Sequence, residues 1–381
     1  MSEPARKKQR NGASSATATQ PAEPTEKINV GILGATGMVG QRFMQLLSTH
    51  PYFIVTHLGA SSRSAGKTYT QATAWKQSTP IPSIYASMLV TECKPDLFPG
   101  VKIVFSGLDS DVAGDVEDAF LAADVAVFSN AKNHRMDDDV PLVVPVVNTR
   151  HYDIIGHQRK HRGVKKGLLV ANANCSTTGL VVPLKALEDA FGGLDKVMVV
   201  TMQAVSGAGY PGVASMDILD NVVPYISGEE EKMEIETSKI LGSLNKGKTA
   251  FINNKVVTSA SCNRVPVIDG HTESVSVLFS RKPAPSVADV ISALKAYTCE
   301  AQSLNCPSAP EQVIIVHEAP DRPQPRLDRD NGRGMAVTVG RVRECPIFDV
   351  KFTLLSHNTI LGAAGSSIMN AEVAVAKGLI K

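Results

Sequence analysis

The run Ile28-Asn29-Val30-Gly31-Ile32-Leu33-Gly34-Ala35-Thr36-Gly37-Met38-Val39-Gly40 decides the fold class. Its first six residues form a solid apolar stretch, suited to a strand buried on both faces of a parallel sheet. Gly34 to Gly40 reads as a turn. Val39, Phe43, Leu46 and Leu47 then recur at helical spacing until Pro51 stops the helix. A second strand is expected at Phe53 to Leu58, and later strands of the same sheet at Val101 to Phe105 and Asp124 to Phe128. This order predicts an α/β protein that opens with a doubly wound, Rossmann-type domain.

A strand, a glycine turn and a helix in that order let helix N-terminal N–H groups face a pyrophosphate. The spacing here is G-x-x-G-x-x-G over Gly34, Gly37 and Gly40, not the stricter G-x-G-x-x-G. A tight turn with no ligand would look the same in isolation; the strand–turn–helix context favours a dinucleotide held along Gly34, Ala35, Thr36, Gly37, Met38 and Val39. An NAD site usually places an acid at the end of the second strand to hold the ribose 2′-hydroxyl. This chain has Gly59-Ala60-Ser61-Ser62-Arg63-Ser64. Ser61, Ser62 and Arg63 suit a 2′-phosphate, so NADP is the expected cofactor, with an ordinary polar loop as the alternative reading of these three.

The chain has 381 residues, long enough for two domains, each with its own core. Lysine and arginine number 39 against 37 aspartates and glutamates, a net charge of +2, which leaves no basic excess for nucleic acid. Six cysteines at 93, 175, 262, 299, 306 and 345 make neither a disulfide framework nor the paired spacing of a metal site. With no stretch of eighteen apolar residues, no membrane span is expected. Residues 1–26 read as a disordered tail without a secretory signal, and their Arg6-Lys7-Lys8-Gln9-Arg10 cluster as a solubilising patch or an import signal. A cytoplasmic location follows. The dinucleotide domain is expected over 27–170, completed by a helical segment at 358–381. A second, α+β domain with a mixed sheet is expected over 171–357, because Lys196 to Met202 and Thr272 to Phe279 alternate in hydrophobicity, with Val275, Val277 and Phe279 in phase. Asp321 to Gly334 reads as a surface loop.

Cys175 is the one cysteine whose surroundings look arranged. It follows the strand-like Leu168-Leu169-Val170 and Asn172-Ala173-Asn174, and opens a helix expected from about Thr177 to Phe191. A helix N-terminus stabilises an anion, so a depressed thiol pKa and a nucleophilic role are expected there. The other five read as buried hydrophobes. A thiol beside a nicotinamide implies attack on an aldehyde, loss of hydride to the cofactor and an acyl-thioester, with a base nearby. Among nine histidines, His271 stands out, at the start of an alternating strand and seven residues after Arg264.

Together these segments resemble the aspartate-semialdehyde dehydrogenases from about Lys27 onward. The glycine turn, Asn172-Ala173-Asn174-Cys175-Ser176-Thr177-Thr178, Gln203-Ala204-Val205-Ser206-Gly207-Ala208-Gly209-Tyr210-Pro211-Gly212 and the Arg264…His271 pair occur in family order. Ser129 to Arg135 and Gly228 to Glu234 look like the archaeal and fungal branch. The resemblance implies Cys175 as nucleophile, His271 as general acid/base and Gln203 as an orienting amide. It implies Arg264 on the substrate carboxylate, Arg135 and Asn133 on the phosphate side, and Asn358-Thr359 on the nicotinamide side. An acid for the substrate ammonium and a lysine for phosphate would come from Glu229 and Lys232, with Glu236 and Lys239 at the same spacing as the alternative. It further implies a homodimer or homotetramer formed through the second domain. The implied reaction is NADPH-dependent reductive dephosphorylation of L-aspartyl 4-phosphate. The rivals are an acyl reductase like malonyl-CoA reductase or N-acetyl-glutamyl-phosphate reductase, and a non-catalytic NADP-binding sensor.

Overall fold

The computed structural model describes residues 26–381; the expectations for the preceding tail and its basic cluster lie outside the described residues. Strands β1 (Ile28–Leu33), β2 (Phe53–Ala60), β3 (Val90–Glu92), β4 (Ile103–Ser106), β5 (Ala126–Ser129), β6 (Leu142–Val143) and β7 (Leu168–Asn172) make one sheet, ordered β3-β2-β1-β4-β5-β7-β6. Every pairing in it is parallel. The strand order reverses between β1 and β4, and the carboxyl ends of strands at such a switch point are where these sheets bind ligands. The buried ring of Phe105 on β4 contacts the buried rings of Phe43, Phe53 and Phe128, with centroids 5.2 to 5.9 Å apart. Each such ring contributes about 1.5–3 kcal/mol by leaving water.

The second half supplies β8 (Leu194–Gln203), a small hairpin of β9 (Ser243–Leu244) and β10 (Phe251–Ile252), then β11 (Val257–Arg264), β12 (His271–Phe279), β13 (Ile314–His317), β14 (Val337–Glu344) and β15 (Val350–Ser356). The hairpin apart, these form a six-stranded mixed sheet ordered β11-β8-β12-β15-β14-β13. Only β8 with β11 and β13 with β14 run parallel. One face packs under the helix Cys175–Phe191, which is buried from Ser176 through Leu184. That helix begins at Cys175, two residues earlier than periodicity suggests, because the Asn174 side chain caps it by accepting from the N–H groups of Ser176 and Thr177.

The chain's last helix, Gly365–Ala376, lies against β4, β5 and β7 of the first sheet. A π-helical turn, Ile360–Ala364, precedes it and touches both the Cys175 helix and the helix Met38–Leu47. Asp321 to Gly334 is not a plain loop. It holds helical turns at Pro325–Asp328 and Asn331–Gly334, and the buried Asp328 carboxylate accepts from Arg322 Nε at 2.7 Å and Gln324 N–H at 2.7 Å. That carboxylate gives the segment a polar core that its composition hides.

Candidate active site

The mixed sheet brings three expected residues to one edge, Gln203, Arg264 and His271. Register pairs Gln203 of β8 with Arg264 of β11, and His271 of β12 with Ser356 of β15. Glu273, two residues along from His271, therefore shares its face, one row behind, opposite Thr201 and Leu354. The Cys175 helix sets its first residue over this edge. Cys175 Sγ lies 3.1 Å from His271 Nε2, and the backbone N–H of Ala204 donates to His271 Nδ1 at 3.0 Å. Arg264 Nη1 donates to the Ala204 carbonyl at 2.8 Å, so the backbone of one residue engages both side chains. The next loop presses on the pair: a methyl on Gly207 would sit 2.8 Å from Arg264 Nη1 and 3.3 Å from His271 Nε2. Gln203 is buried and donates to Thr201 Oγ1 at 3.3 Å.

The electrostatics overturn one expectation. Desolvation, with the nearby Glu229 charge second, pushes the Cys175 thiol up to about 12 despite its place at a helix N-terminus. Arg264, Arg135 and the Ser176 N–H oppose that shift without cancelling it. Burial, then the Arg264 charge, pushes His271 down to about 3. The resting pair is neutral thiol and neutral imidazole.

The helix Glu229–Ile240 resolves which acid faces the thiol. Glu236 Oε1 pairs with Arg135 Nη1 at 2.9 Å, and its Oε2 accepts the Asn174 N–H at 2.6 Å. Lys239 donates to the carbonyls of Arg135, Asp137 and Val140. This second pair is consumed in bracing the chain. Glu229 instead accepts from Asn174 Nδ2 at 2.7 Å and from the partly exposed Lys232 at 3.2 Å. It acts on Cys175 strongly enough to oppose the thiol's ionisation. Arg135 Nη2 also donates to the Asn130 carbonyl at 2.9 Å, so its charge stands beside the thiol while two of its nitrogens are engaged.

A cleft of about 690 Å³ opens at the switch point of the first sheet. Gly34, Thr36, Gly37, Met38 and Val39 line it with Ser61, Ser62 and Arg63, and the loop Ala208–Tyr210 of the second half closes its far side. Gly34 takes φ +78°, and a methyl on Gly40 would run into the Gly34 carbonyl, so turn and helix approach as only glycine permits. Gly37 caps the helix Met38–Leu47 without a side chain, leaving the first N–H groups to a ligand. These features fit a dinucleotide.

Residues 184–361 match the family of the semialdehyde dehydrogenase dimerisation domain, and residues 29–155 that of the semialdehyde dehydrogenase NAD binding domain. The chain is 60% identical over 363 residues to an aspartate-semialdehyde dehydrogenase of Cryptococcus neoformans, covering 94% of this chain and 100% of that one. The chain belongs to the aspartate-semialdehyde dehydrogenase family. An archaeal member, from Archaeoglobus fulgidus, is 49% identical over 354 residues, covering 93% of this chain and all of the relative. The crystal structure of the Candida albicans enzyme with NADP superposes with a TM-score of 0.87 at 53% identity, over 93% of this chain and 100% of that one.

Several positions implied for this semialdehyde dehydrogenase are engaged within the fold or stand outside the cleft lining. Asn133 is exposed and its amide donates to the Ser110 carbonyl at 3.0 Å, which holds it off the thiol cluster. Ala35 is fully buried beneath the turn, its carbonyl accepting from Tyr69 Oη, and does not line the cleft. Asn358 is spent on bracing: its Oδ1 accepts the Gly270 N–H and its Nδ2 donates to Ser206 Oγ, both at 2.8 Å. Thr359 is buried beside His357. The second strand does end without an acid, but β3 places Glu92 opposite Ala60, in the same cleft and 2.5 Å from Lys94. The bracing of Asn174 and Arg135 by Glu236, the Ala204 N–H and the buried Glu273 escaped the sequence reading. Only Glu273 left a signal: it shares the phase of Val275, Val277 and Phe279, which face the core.

Proposed function

We infer that this oxidoreductase converts L-aspartyl 4-phosphate to L-aspartate 4-semialdehyde, in the synthesis of threonine and methionine and, where it is made from aspartate, lysine. One observation carries the reading: Cys175 Sγ stands 3.1 Å from His271 Nε2 at a helix start, beside Arg264 and across from a dinucleotide cleft. The proposed roles follow from placement. Arg264, aimed by the Ala204 carbonyl, offers its remaining donors to the substrate carboxylate. Glu229 takes the substrate ammonium, which cancels the charge opposing ionisation of Cys175. Lys232 and Arg135 stand on the phosphate side, and the buried Gln203 amide orients the bound acyl group.

The Cys175 sulfur attacks the acyl carbon, and the bond to phosphate oxygen breaks with its electron pair, leaving a thioester. Bound NADPH supplies the hydride to that carbon. The carbon–sulfur bond then breaks, releasing the aldehyde and returning the pair to sulfur. The cleft architecture supports NADP, the cofactor present in the Candida albicans structure. The donors of other acyl reductases are not favoured, since Arg264 and Glu229 together match a substrate with both amino-acid charges.

We propose 27–170 with 358–381 as the dinucleotide domain and 171–357 as the catalytic and subunit-contact domain. Exposed Met216, Leu219, Val222 and Tyr225 suit a second copy, giving a homodimer, and sedimentation distinguishes it from a homotetramer. No helix among the described residues is long and apolar enough to cross a membrane, and we propose the cytoplasm as its place. The test is NADP reduction by L-aspartate 4-semialdehyde with and without phosphate. Phosphate-dependent turnover is expected; equal rates without phosphate or arsenate would overturn the phosphorylating mechanism.

A further inference from the structure

A second cavity, of about 810 Å³, shares no lining residue with the dinucleotide cleft and none with the thiol cluster. Its walls are the stretch 146–153 after β6, the end of the helix Glu229–Ile240 with the hairpin that follows, and residues 297–303. The charges lining it do not balance. Asp153 pairs with Lys248 at 2.7 Å, Asp189 with Lys185 at 2.6 Å and Glu300 with Lys377 at 2.7 Å. Arg150 and Lys246 are exposed to the cavity with no hydrogen bond or ion pair among the described residues. The hydroxyls of Ser243, Thr298 and Ser303 are likewise unengaged there. Two unpaired cations and three free hydroxyls suit a small ligand with more than one anionic group. The helix ends beside the cavity do not repel it strongly, because their last carbonyls are engaged. Lys239 O accepts the Gly242 N–H at 3.2 Å, and Leu241 O accepts from Asn254 Nδ2 at 3.0 Å.

Both helices that end here begin at the thiol cluster. The helix Cys175–Phe191 opens with Cys175 and brings Lys185 and Asp189 to the cavity. The helix Glu229–Ile240 opens with the acid that acts on the thiol and brings Ile240 to the cavity, about 18 Å away along a rigid rod. Its far end is tied to the cavity wall. His151 Nε2 donates to the Gly242 carbonyl at 3.2 Å, and the His151 ring meets Phe251 of the hairpin at 5.2 Å. We propose that this cavity is a regulatory site for a small metabolite with two or more carboxylate or phosphate groups, held between Arg150 and Lys246. Such a ligand bridges the stretch after β6 to the hairpin, and so clamps the end of the helix that carries Glu229. That favours the braced arrangement around Cys175, and the substrate binds more tightly while the cavity is filled.

The probes are citrate and pyrophosphate, titrated by calorimetry into the intact protein with its cleft held by NADP. Binding of at least one is expected, and it should weaken about tenfold or more in the double variant Arg150→Ala with Lys246→Ala. The double variant Lys160→Ala with Lys165→Ala removes two exposed charges outside the cavity and should bind as the parent does. Citrate alone would assign a carboxylate ligand, and pyrophosphate alone a phosphate one. No binding of either, or binding that the cavity variant leaves intact, would overturn the site. The bound probe should also lower the KM for L-aspartate 4-semialdehyde by about fivefold in the parent and not in the cavity variant. An unchanged or raised KM would overturn the regulatory role. Failure of the proposed reaction would show separately, as semialdehyde left unoxidised by parent and variant alike while the probe still binds.

Discussion

In the dinucleotide cleft, Ser61, Ser62 and Arg63 are exposed and sit on one short stretch of chain, while the glycine turn offers backbone N–H groups. Around Cys175 the opposite holds. Asn174, Gln203, Glu229, Arg264 and His271 come from five places in the sequence, all buried, and most of their polar atoms already have a partner inside the protein. The contrast reflects what each region must do. A dinucleotide is held by shape, a helix terminus and a few outward side chains, which tolerate adjustment. Chemistry at a sulfur needs the groups around it held within fractions of an ångström, and a buried, mutually braced cluster holds that geometry.

The most direct way to break the comparison is to remove the sulfur. Cys175→Ala is expected to lose more than about 10³-fold in turnover while binding NADP undiminished by calorimetry, because no other group can carry the acyl intermediate. Loss of both would show that cleft and cluster are not separable. The thiol itself gives a similar range. With its pKa raised from 9.0 to about 12, Cys175 in the substrate-free protein is a thiol at neutral pH, roughly 10³-fold poorer in thiolate than an unshifted cysteine. Since the thiolate fraction rises tenfold per pH unit below the pKa, alkylation of Cys175 should climb by about that factor per unit from pH 7 upward. Glu229→Gln, which removes a charge opposing ionisation, should speed it at fixed pH. A rate flat above pH 8 would mean that the thiol is not masked.

Bracing can be tested apart from chemistry. Glu236→Ala leaves Arg135 as a buried charge without its carboxylate and the Asn174 N–H without its acceptor, and should cost about 3–5 kcal/mol in denaturant unfolding. Lys232→Ala breaks an ion pair at the rim and should cost under about 1 kcal/mol, while raising the KM for phosphate. Similar losses for the two would erase the distinction between brace and contact. Gly207→Ala adds one methyl where 2.8 Å separates it from Arg264 Nη1. A displacement of that kind at the reacting groups should lower kcat/KM by about 10²-fold, with NADP affinity unchanged.

The same contrast explains what the sequence disclosed. The strand Ile28–Leu33 and its helix were legible because apolar periodicity and the glycine turn are local signals, and the cleft residues Gly34 and Thr36 to Val39 lie between or within them. Cys175 was legible through its place at a helix start, but not the direction of its pKa, since desolvation depends on what the fold packs over the sulfur. Glu229 and Glu236 share the same i, i+3 lysine spacing, and nothing local separates them. Only the fold shows that one meets Arg135 and the Asn174 N–H while the other meets Asn174 Nδ2 near the thiol. The Ala204 N–H carries no side-chain signature at all, so the donor that fixes His271 was invisible before the fold.

The smallest expected effect belongs to the cleft, and it sharpens the comparison most. Arg63 is exposed, and no intramolecular hydrogen bond or ion pair is seen for it among the described residues, so removing it disturbs no packing. Arg63→Ala should weaken NADP binding by about tenfold, the contribution of one exposed charge-assisted contact, and leave NAD binding unaffected. Glu92 stands in the same cleft, 2.5 Å from Lys94, and that lysine supplies a second positive charge near any 2′-phosphate. Its presence is why the loss should stop near tenfold rather than abolish the preference. If Arg63→Ala instead cost as much as Gly207→Ala, the cleft would depend on single side chains as tightly as the thiol cluster does. The two regions would then no longer differ in plan.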